Sequence, residues 1–451
     1  MEEVEGTRAD DVRLSIVVPV LDEAAGVARA LHALAPLRAA GHEVVVVDGG
    51  SGDGTPDLAA PLADRVLRAP RGRAVQMNVG AHAATGDVLL FLHADARLPD
   101  DAAGAIGRAL RAGARWGRFD VALDGRSRWL PVVAACMNAR SAWSGICTGD
   151  QGMFAERAAF AGAGGFPPIA LMEDVALSAA LKRSAGRPAR LRSRVVASGR
   201  RWDRDGAWRT IATMWRLRYA YWRGAAPDDL ARRYYGTPSV PLPLLQVFAK
   251  APRPGRVKTR LARDIGAEEA ARAYVALAER TLDVADAACR AGVVAAVELW
   301  VEPGAPPRAF AGWLRRAGAT LHEQRGADLG ARMQAALRDA LGRGHPALLV
   351  GTDVPGYDVP YLAHAAGALA AKDAVVGPAE DGGYVLVGLA RDVDLFSGVP
   401  WSTGEVLRVT RERLAAAGAV WDELPTLWDV DTHVQWRRWQ DAGSPPAGVV
   451  P

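Results

Sequence analysis

The sequence predicts an α/β protein with two related domains, each an open and mainly parallel β-sheet flanked by helices. Apolar runs of strand type alternate with helical segments in both halves of the chain. In the first half such runs lead into Asp48-Gly-Gly-Ser-Gly-Asp53 and His93-Ala-Asp95, and in the second into Gly351-Thr-Asp353 and Asp381-Gly-Gly-Tyr384. Ligands of such sheets bind beyond the carboxyl ends of the strands, so each half is predicted to hold a nucleotide and a divalent metal.

The individual elements are predicted from hydrophobic patterning. Asp22 and Glu23 are expected to open a helix that runs through Leu34, because acids favour a helix N-terminus. An alanine-rich stretch predicts a helix from Ala267 to Arg290. The predicted strands are Ser15–Val20, Glu43–Asp48, Asp87–Leu92, Leu244–Phe248, Val293–Val301, Ala347–Asp353 and Ala374–Asp381.

A proline-rich segment marks the boundary between the halves. Three prolines fall within Gly236–Pro243, which is typical of a semi-rigid linker. The predicted domains are therefore residues 12–235 and residues 244–441. A chain of 451 residues is long enough for two separate hydrophobic cores.

The composition excludes several classes of protein. The net charge is +4 without a long basic run, so nucleic acid is not an expected partner. Three cysteines without a C-x-x-C pair argue against a disulfide framework or a zinc site. Residues 1–11 are acidic and lack the apolar core of a secretory signal. No apolar run approaches the ~18 residues of a membrane span, so a cytoplasmic location is expected.

The acidic motifs of the first half form a known pattern. The motifs are Val18-Pro-Val-Leu-Asp-Glu23, Asp48-Gly-Gly-Ser-Gly-Asp-Gly-Thr55, Gly86-Asp87, His93-Ala-Asp95 and Glu173-Asp174. From about Arg13 to Tyr235 the chain resembles the family 2 glycosyltransferases, which have the GT-A fold. The resemblance implies a nucleotide-diphospho sugar as donor, a small-molecule acceptor, and Mg²⁺ or Mn²⁺ to neutralise the leaving diphosphate.

The resemblance also assigns residues to the donor site. Asp22 and Asp48 would contact the nucleoside, and Asp95 would ligate the metal. His93 stands where the usual D-x-D motif has its first acid, and would bind either the nucleotide or the metal. The remaining donor-site residues implied by the matching motifs are Pro19, Glu23, Gly49, Ser51, Asp53, Asn78 and Ala94.

Glu173-Asp174 opens an amphipathic helix pattern and has two interpretations. Acids at a helix N-terminus complement its dipole, and taken alone this interpretation is the simpler one. In their motif context the pair resembles the base of an inverting transferase, which takes the proton of the acceptor hydroxyl. Asp174 is favoured over Glu173 for this role, and Asp150-Gln151 is predicted to contact the acceptor.

A finer resemblance rests on four further blocks. They are Arg71-Gly-Arg-Ala-Val-Gln-Met-Asn-Val-Gly80, Gly149-Asp-Gln-Gly-Met-Phe154, Leu171-Met-Glu-Asp174 and Arg200-Arg-Trp202. They are similar to the subgroup assigned to arsenosugar biosynthesis, also called selenodomain-associated transferase of the second type. Arg71, Arg73, Arg200 and Arg201 are predicted to bind the diphosphate, since arginine binds phosphates in a bidentate manner. For Arg71 and Arg73 the alternative is a solvated loop.

The second half resembles the selenodomain-associated transferases of the first type over about Leu244 to Trp439. These are related to phospholactate guanylyltransferases and molybdenum-cofactor nucleotidyltransferases. The matching blocks are Phe248–Leu261, Asp328-Leu-Gly-Ala-Arg-Met333, Gly351-Thr-Asp-Val-Pro355, Gly377-Pro-Ala-Glu-Asp-Gly-Gly-Tyr384, Trp401-Ser-Thr403 and Asp429-Val-Asp431. The resemblance implies a nucleotidyltransferase-like domain of GT-A-like fold that binds a nucleoside triphosphate.

The loop after the first strand of this half is suited to phosphates. Only four lysines accompany 51 arginines in the chain, and two of them, Lys250 and Lys258, lie in this loop. With Pro254-Gly255, the cations Lys250, Arg256, Lys258 and Arg260 are predicted to surround a triphosphate. By resemblance Asp353 and Asp431 are metal ligands, and Asp381-Gly382-Gly383 faces the transferred group or the metal. The alternative for Asp353 is a turn-capping role before Pro355.

Two questions remain open at this level. The segment Trp208–Arg223 carries aromatic residues at helical spacing. It either packs on its domain or on a partner, which is favoured, or lies at a membrane surface with its arginines at the headgroups. The second domain either activates a group that the first transfers or serves as a non-catalytic nucleotide-binding or scaffold module.

For the whole chain, a processive membrane synthase is disfavoured because the Q-x-x-R-W signature is missing. The oligomeric state is left open.

Overall fold

The computed structural model describes residues 12–235, 241–401 and 403–443. The described residues form two compact units, one within residues 12–235 and the other within residues 241–443. Of the predicted linker Gly236–Pro243, residues 236–240 lie outside the described residues, so its proposed stiffness stays a prediction.

The first unit contains an eight-stranded mixed sheet with the strand order β3-β2-β1-β4-β7-β6-β8-β5. Its strands β1, β2, β3 and β4 are parallel to one another, whereas β7 runs antiparallel between β4 and β6. The strands are β1 (Leu14–Val20), β2 (Glu43–Asp48), β3 (Arg65–Arg68), β4 (Val88–Phe91), β5 (Ala96–Arg97), β6 (Trp116–Asp124), β7 (Met153–Glu156) and β8 (Ala189–Ser198).

Eleven α-helices accompany this sheet within the described part of the unit. They are α1 (Val27–His32), α2 (Ala35–Ala39), α3 (Thr55–Ala59), α4 (Arg73–Ala83), α5 (Ala102–Arg111), α6 (Leu130–Ser144), α7 (Arg157–Gly162), α8 (Glu173–Ala185), α9 (Arg200–Asp205), α10 (Ala207–Trp222) and α11 (Pro227–Tyr235). Single 3₁₀ turns are formed by Ala60–Leu62 and Gly149–Gln151.

The core of the first unit lies on both sides of its central strands. Every residue of β2 is buried, and so are all residues of β1 except Pro19. Continuous apolar runs of this kind are typical of parallel strands covered on both faces. Helix α4 lies very close to β1: a Cβ atom on Gly80 would come within 2.4 Å of Val17.

The second unit contains a seven-stranded mixed sheet with the order β11-β10-β9-β12-β14-β13-β15. Strand β14 runs antiparallel between β12 and β13, and the other pairs are parallel. The strands are β9 (Leu244–Ala249), β10 (Ala296–Val301), β11 (Thr320–Glu323), β12 (Ala347–Val350), β13 (Ala374–Pro378), β14 (Tyr384–Leu389) and β15 (Trp421–Glu423). The helices are α12 (Ala262–Ile265), α13 (Ala267–Arg290), α14 (Ala311–Ala317), α15 (Leu329–Gly342), α16 (Val359–Ala368), α17 (Val406–Ala416) and α18 (His433–Asp441), with a 3₁₀ turn at Pro307–Phe310.

The two sheets share one topology. When the two-residue strand β5 is set aside, both sheets read third, second, first, fourth, sixth, fifth, seventh in chain order. In both, the sixth strand is the antiparallel one. The prediction of an α/β protein with two related, mainly parallel sheets is therefore confirmed.

Most predicted elements are present, but one helix was placed wrongly. The helix Ala267–Arg290 has the predicted bounds. The predicted strands are all present and differ from the observed ones mainly at their ends. The helix predicted from Asp22 begins only at Val27, because Asp22 adopts a left-handed backbone with φ 52°. The acids before Val27 therefore belong to a loop and do not cap a helix.

Helix α10 exposes its aromatic residues. Trp215, Tyr219 and Trp222 are 68%, 62% and 77% exposed, whereas Leu217 is buried. The side chain of Trp208 lies outside the described residues. These three side chains therefore do not pack on their own unit, and packing on a partner or lying at a membrane surface both stay predictions for them. Among the described helices, none is long and apolar enough to cross a membrane.

Candidate functional sites

The glycine-rich turn after β2 is organised around Asp48. This carboxylate is 2% exposed and accepts hydrogen bonds from the Gly50 and Ser51 N–H groups at 3.0 and 3.1 Å. The Ser51 hydroxyl also donates to Asp48. Asp48 thus anchors the turn, and its predicted contact with a nucleoside stays a prediction.

The loop after β1 is tied to the same turn. The N–H groups of Asp22, Glu23 and Ala24 donate to Ser51 Oγ, Thr55 Oγ1 and Asp53 Oδ2 at 2.8, 2.9 and 2.9 Å. In return, the Gly52 N–H donates to Asp22 Oδ1 at 2.9 Å. Hydrogen bonds from Thr55 and Ala24 hold the pKa of the exposed Asp53 carboxyl below its usual value. The sheet edge thus brings the two predicted donor-binding motifs together.

A cation lies between two carboxylates of the predicted site. Arg200, at the start of α9, has its guanidinium 3.8 Å from the Glu23 carboxylate and 3.6 Å from the Asp95 carboxylate. Burial raises the pKa of Glu23; Arg200 opposes this effect, and Asp95 adds to it. Asp95 is the carboxylate that the motifs predict to hold a metal, and it keeps a 35% exposed side chain. The side chain of Arg201 lies outside the described residues.

His93 connects the donor side to Asp174. Its Nδ1 lies 3.5 Å from the Asp150 carboxylate. Gly149 faces the same ring, and a Cβ atom there would come within 2.6 Å of His93. The Gly149 N–H donates to Asp174 Oδ2 at 3.0 Å, and the Val175 N–H donates to Oδ1 at 2.7 Å. Only glycine permits this close approach, which fixes the Asp174 carboxylate beside the histidine.

A small pocket joins these groups to Glu173. Its lining consists of Arg73, Met77, Phe91, His93, Gly149, Met153, Phe166, Glu173 and Asp174. Glu173 is 6% exposed, and burial together with the Asp174 charge raises its pKa to about 7. Arg73 and His93 oppose this shift. The pocket therefore holds two adjacent carboxyl groups, one of which can exchange a proton near neutral pH.

The structure does not support two of the predicted contacts. Asn78 was assigned to the donor, but it is 3% exposed and pairs with both backbone groups of Phe166 at 2.7 and 2.9 Å. Gln151 was assigned to the acceptor, but it is fully buried and bonds Ser141 and Thr148. Both amides order loops from the inside, because buried polar groups must find hydrogen-bond partners.

Sequence reasoning missed the role of Gln76 on α4. Its Nε2 donates to the carbonyl oxygens of Val20 and Val47, both at 2.8 Å, and the side chain is 4% exposed. Gln76 thereby joins the ends of β1 and β2 just before the two site loops. The signal was an amide inside an otherwise apolar helix segment, within the motif Arg71–Gly80.

In the second unit Lys258 lies between two predicted metal ligands. Its ammonium is 3.0 Å from Asp353 and 2.9 Å from Asp431, and the side chain is 5% exposed. Lys258 has a left-handed backbone with φ 46°. Burial works against the charged ammonium, but the two aspartates outweigh it and raise the lysine pKa. The guanidinium of Arg260 lies 3.5 Å from the Asp431 carboxylate, farther than the Lys258 ammonium.

A third acid completes this cluster. Among the residues that the structure describes, Asp353, Asp429 and Asp431 form a group whose ligand atoms lie within 4.8 Å of one another. Burial raises the pKa of Asp429 to about 6, and the charges of Asp353, Asp431 and Asp381 add to this. For Asp353, burial is outweighed by Lys258, which holds its pKa below the usual value. Asp429 belongs to the motif Asp429-Val-Asp431, in which the resemblance assigns only Asp431 to the metal.

The other predicted residues of this unit lie around a pocket or on the surface. Lys250, Arg256 and Asp381 are exposed, and the Gly383 N–H donates to Asp381 Oδ1 at 2.9 Å. Gly382 has φ +85°, and a Cβ atom there would meet the Gly404 carbonyl at 2.4 Å. A cavity of about 250 Å³ opens beside this turn, with walls that include Phe248, Met333, Gly383, Tyr384 and Trp401.

Family comparisons assign each unit. Residues 15–140 match the family described as Glycosyl transferase family 2, and residues 282–403 match the family described as an uncharacterized protein conserved in bacteria, DUF2064. The first unit therefore carries a family 2 glycosyltransferase domain with a GT-A-like fold. The second unit carries a DUF2064 domain, a family whose function is not characterised.

Several solved structures are similar to parts of this chain. A protein described as a nucleotide-diphospho-sugar transferase from Desulfovibrio desulfuricans G20 has 31% identity over 46% of this chain and 90% of its own, with a TM-score of 0.41. Glucosyl-3-phosphoglycerate synthase from Mycobacterium tuberculosis, solved with Mn²⁺ and UDP, has 18% identity over 41% of this chain and 71% of its own, with a TM-score of 0.33. A mannosyltransferase from Pyrobaculum calidifontis, solved with GDP-mannose and Mn²⁺, has 22% identity over 46% of this chain and 61% of its own, with a TM-score of 0.35. No curated protein matches the chain.

Proposed function

We propose that the first unit transfers a glycosyl group from a nucleotide-diphospho sugar to a hydroxyl of a small acceptor, with inversion. The observation that carries this proposal is the continuous site from Asp95 and Arg200 to Asp174. The Arg200 guanidinium lies on the donor side, and the Asp174 carboxylate is held by Gly149 beside His93. The family 2 match supports the class of reaction.

In this reaction the acceptor oxygen forms a bond to the anomeric carbon while the bond from that carbon to the diphosphate oxygen breaks. Asp174 takes the hydroxyl proton as the oxygen attacks, and the nucleoside diphosphate leaves with the bonding electrons. Arg200 and Arg73 lie where they would stabilise the negative charge of the departing diphosphate. Glu173, with its raised pKa, is the neighbouring group that can share the proton.

The donor side suits a hard divalent cation. Mg²⁺ is usually held by one or two carboxylates together with substrate phosphates, and Asp95 and Glu23 supply such oxygens beside Arg200. His93 is a further nitrogen donor on the strand end that carries Asp95. A bound Mg²⁺ or Mn²⁺ would supply charge neutralisation for the leaving diphosphate.

The test compares binding with turnover in Asp174→Asn. The full chain is screened by thermal shift with UDP-, GDP- and ADP-sugars, with and without Mn²⁺, and the donor that binds is used in a transfer assay. We expect the variant to keep the donor-induced shift and to lose about 10²–10⁴-fold in turnover. Asp57→Asn, an exposed residue on α3, is the control and should keep full turnover. Unchanged turnover in Asp174→Asn would rule out this residue as the base.

For the second unit we propose metal-dependent nucleotidyl transfer. The specific observation is the acidic cluster of Asp353, Asp429 and Asp431 with Lys258 beside it. Three carboxylates match the oxygen ligands that Mg²⁺ prefers, and the bound metal would supply charge neutralisation for a triphosphate. Arg256 and Arg260, both exposed on the loop that carries Lys258, are placed to contact phosphates.

Pyrophosphate release separates this proposal from a scaffold role. The full chain is incubated with each of the four nucleoside triphosphates and Mg²⁺, together with phosphorylated and carboxylated small molecules as acceptors. Release that disappears in Asp353→Asn, with glycosyl transfer retained, supports nucleotidyl transfer. Thermal shifts with a triphosphate but no release would instead favour a nucleotide-binding module, and no shift at all would favour a scaffold.

A further inference from the structure

Helix α6 carries a half-buried arginine, Arg140, in which two guanidinium nitrogens are buried without a hydrogen-bond partner among the described residues. The Nε and Nη2 atoms of Arg140 are inaccessible to solvent and make no hydrogen bond within the described residues. A buried charge of this kind is costly unless an opposite charge and hydrogen bonds compensate it. The position thus lacks a group that would accept hydrogen bonds and supply negative charge.

A second arginine lies close to the first. Arg218 on α10 is partly buried, and the structure gives it no ion pair among the described residues. Burial lowers the pKa of both arginines, that of Arg140 to about 10, and the charge of Arg218 adds to the effect at Arg140. The two arginines are therefore close enough for the charge of Arg218 to act on Arg140.

The packing of α10 places this pair beside the proposed base. Leu217, next to Arg218, packs in a cluster with Leu171 and Met172, which directly precede Glu173-Asp174. On the other side, Ser141 follows Arg140 and donates to Gln151 at 2.6 Å, in the turn that holds Asp174 through Gly149. The Asp174 charge acts on both arginines, yet it is ion-paired with neither.

The nearby carboxylates are already engaged. Asp120 pairs with both Arg118 and Arg190. Asp174 accepts hydrogen bonds from two backbone N–H groups. Neither carboxylate forms an ion pair with Arg140 or Arg218, although the charge of Asp174 acts on both arginines.

We propose that Arg140 and Arg218 form a subsite for an anionic group of the acceptor, a phosphate or a carboxylate. This inference rests on the proposed glycosyl transfer and specifies its acceptor. Guanidinium groups bind both oxyanions through paired N–H donors. An anion held there would fix the acceptor so that its hydroxyl points toward Asp174.

The anionic group could belong to a free small molecule or to a lipid headgroup. Helix α10 also exposes Trp215, Tyr219 and Trp222, and Arg216 is exposed on the same helix. Exposed aromatics beside arginines are typical of helices that lie at a membrane surface. A free small molecule and a lipid headgroup would both present an oxyanion to the two arginines. Binding experiments with free phosphate and with vesicles distinguish between them.

The test measures anion binding by the full chain, independently of turnover. Inorganic phosphate is titrated by calorimetry into the wild type, Arg140→Met and Arg218→Met. Arg216→Met, an exposed residue on the same helix, is the matched control. Arg200→Met is included because Arg200 is the arginine of the donor side. The same samples are tested with phosphatidic acid vesicles and phosphatidylcholine vesicles, and their binding of nucleotide-sugars is measured as a check of the donor site.

We expect Arg140→Met and Arg218→Met each to weaken phosphate binding at least tenfold, with Arg216→Met unchanged. Loss of binding only to phosphatidic acid vesicles would also support the subsite, with a lipid headgroup as the source. The proposed subsite would be overturned if neither phosphate nor vesicles bind, or if their binding depends only on Arg200. If one arginine variant fails to fold, the other decides the result.

Nucleotide-sugar binding is a separate readout. A chain that binds no nucleotide-sugar contradicts the proposed glycosyl transfer, whatever the phosphate data show. Retained nucleotide-sugar binding with arginine-independent phosphate binding contradicts only the subsite. The two failures are therefore distinguishable.

Discussion

At the scale of single residues, the chemistry of both sites depends on how neighbouring charges are balanced. Glu173 and Asp174 are adjacent acids, but Glu173 is buried and carries a raised pKa, whereas the Asp174 carboxylate is bound by two N–H groups. In the second unit one lysine compensates two aspartates. Residue type alone does not distinguish these situations, because burial and neighbours set the charge.

Replacement of Glu173 by Gln should change how stability depends on pH. The folded protein holds the Glu173 proton up to about pH 7, whereas the ordinary value is 4.5. Because the folded state binds more protons between these values, wild-type stability falls as pH rises through this window. Glu173→Gln removes this loss, so its stability relative to wild type should rise between pH 4 and pH 8, by at most about 3 kcal/mol.

Chemical unfolding at pH 4 and pH 8 checks this expectation. Glu268→Gln, at an exposed position on α13, is the matched control and should give the same difference from wild type at both values. A Glu173 variant that loses stability relative to wild type at pH 8 would show that the carboxylate is ionised and well compensated in the folded protein.

Replacement of Lys258 by Met should make the second unit depend on a metal ion. The substitution leaves Asp353 and Asp431 without their cation, so we expect a loss of roughly 2–4 kcal/mol in metal-free buffer. Mg²⁺ or Mn²⁺ should restore much of the loss, because a divalent cation can replace the ammonium charge among the carboxylates.

Thermal unfolding with EDTA and with Mn²⁺ measures this effect. The control is Lys372→Met, which replaces the lysine of the second unit that lies outside this loop. Mn²⁺ should change its unfolding temperature by the same amount as that of the wild type. Equal unfolding temperatures of Lys258→Met in EDTA and in Mn²⁺ would argue against a metal centre at Asp353, Asp429 and Asp431.

At the scale of elements, the sites are built where loops after different strands hold one another. The loop after β1 donates three N–H groups to the turn after β2, and Gln76 of α4 bonds the end of each strand. These contacts require α4 to lie almost directly on β1. The position of α4 therefore supports the geometry of the donor side.

Gly80→Ala tests this close packing. The added methyl group would lie 2.4 Å from Val17 in the fully buried part of β1, so either the helix or the strand must move. We expect a destabilisation of about 1–3 kcal/mol, as is usual for overpacked cores, and weaker donor binding through displaced Gln76. Gly162→Ala on α7 is the control, because its Cβ would meet no atom within 4 Å. Equal unfolding temperatures of Gly80→Ala and Gly162→Ala would contradict the predicted contact.

At the scale of the whole molecule, one topology is used twice with different chemistry. Each unit has its own sheet and its own hydrophobic cluster, centred on β1, β2 and β4 in the first and on β12, β13 and β14 in the second. The strand order is the same in both, but the first unit places carboxylates near a histidine and arginines, and the second places them around a lysine. One fold thus carries two different sets of polar side chains, so each function must be argued from its own site.

Residues 12–235 and residues 241–443, expressed separately, should each fold. Each unit has the core and the closed hydrogen-bond pattern of an independent domain, so we expect a cooperative thermal transition for each. Differential scanning calorimetry of both pieces and of the full chain checks this. If one piece shows no transition, its fold depends on the other and the domain boundary must be revised.

The sequence alone determined the class of fold and the position of seven strands, and it pointed to many of the residues that lie around the two candidate sites. Strands such as Glu43–Asp48 could be predicted because a buried parallel strand is a continuous apolar run, and the strand ends then locate the acids. Helix Ala267–Arg290 could be predicted for a similar reason, since its pattern persists over many turns.

The tertiary structure decided which polar side chains face a ligand. Asn78 and Gln151 share motifs with site residues but bond buried backbone and side-chain groups, and no local pattern reveals this. Arg140 and Arg218 are distant in sequence, and only the packing of α10 beside Met172 brings their charges near Asp174. Hydrophobic periodicity specifies elements because it is local, whereas the compensation of a buried charge depends on contacts between residues far apart in the chain.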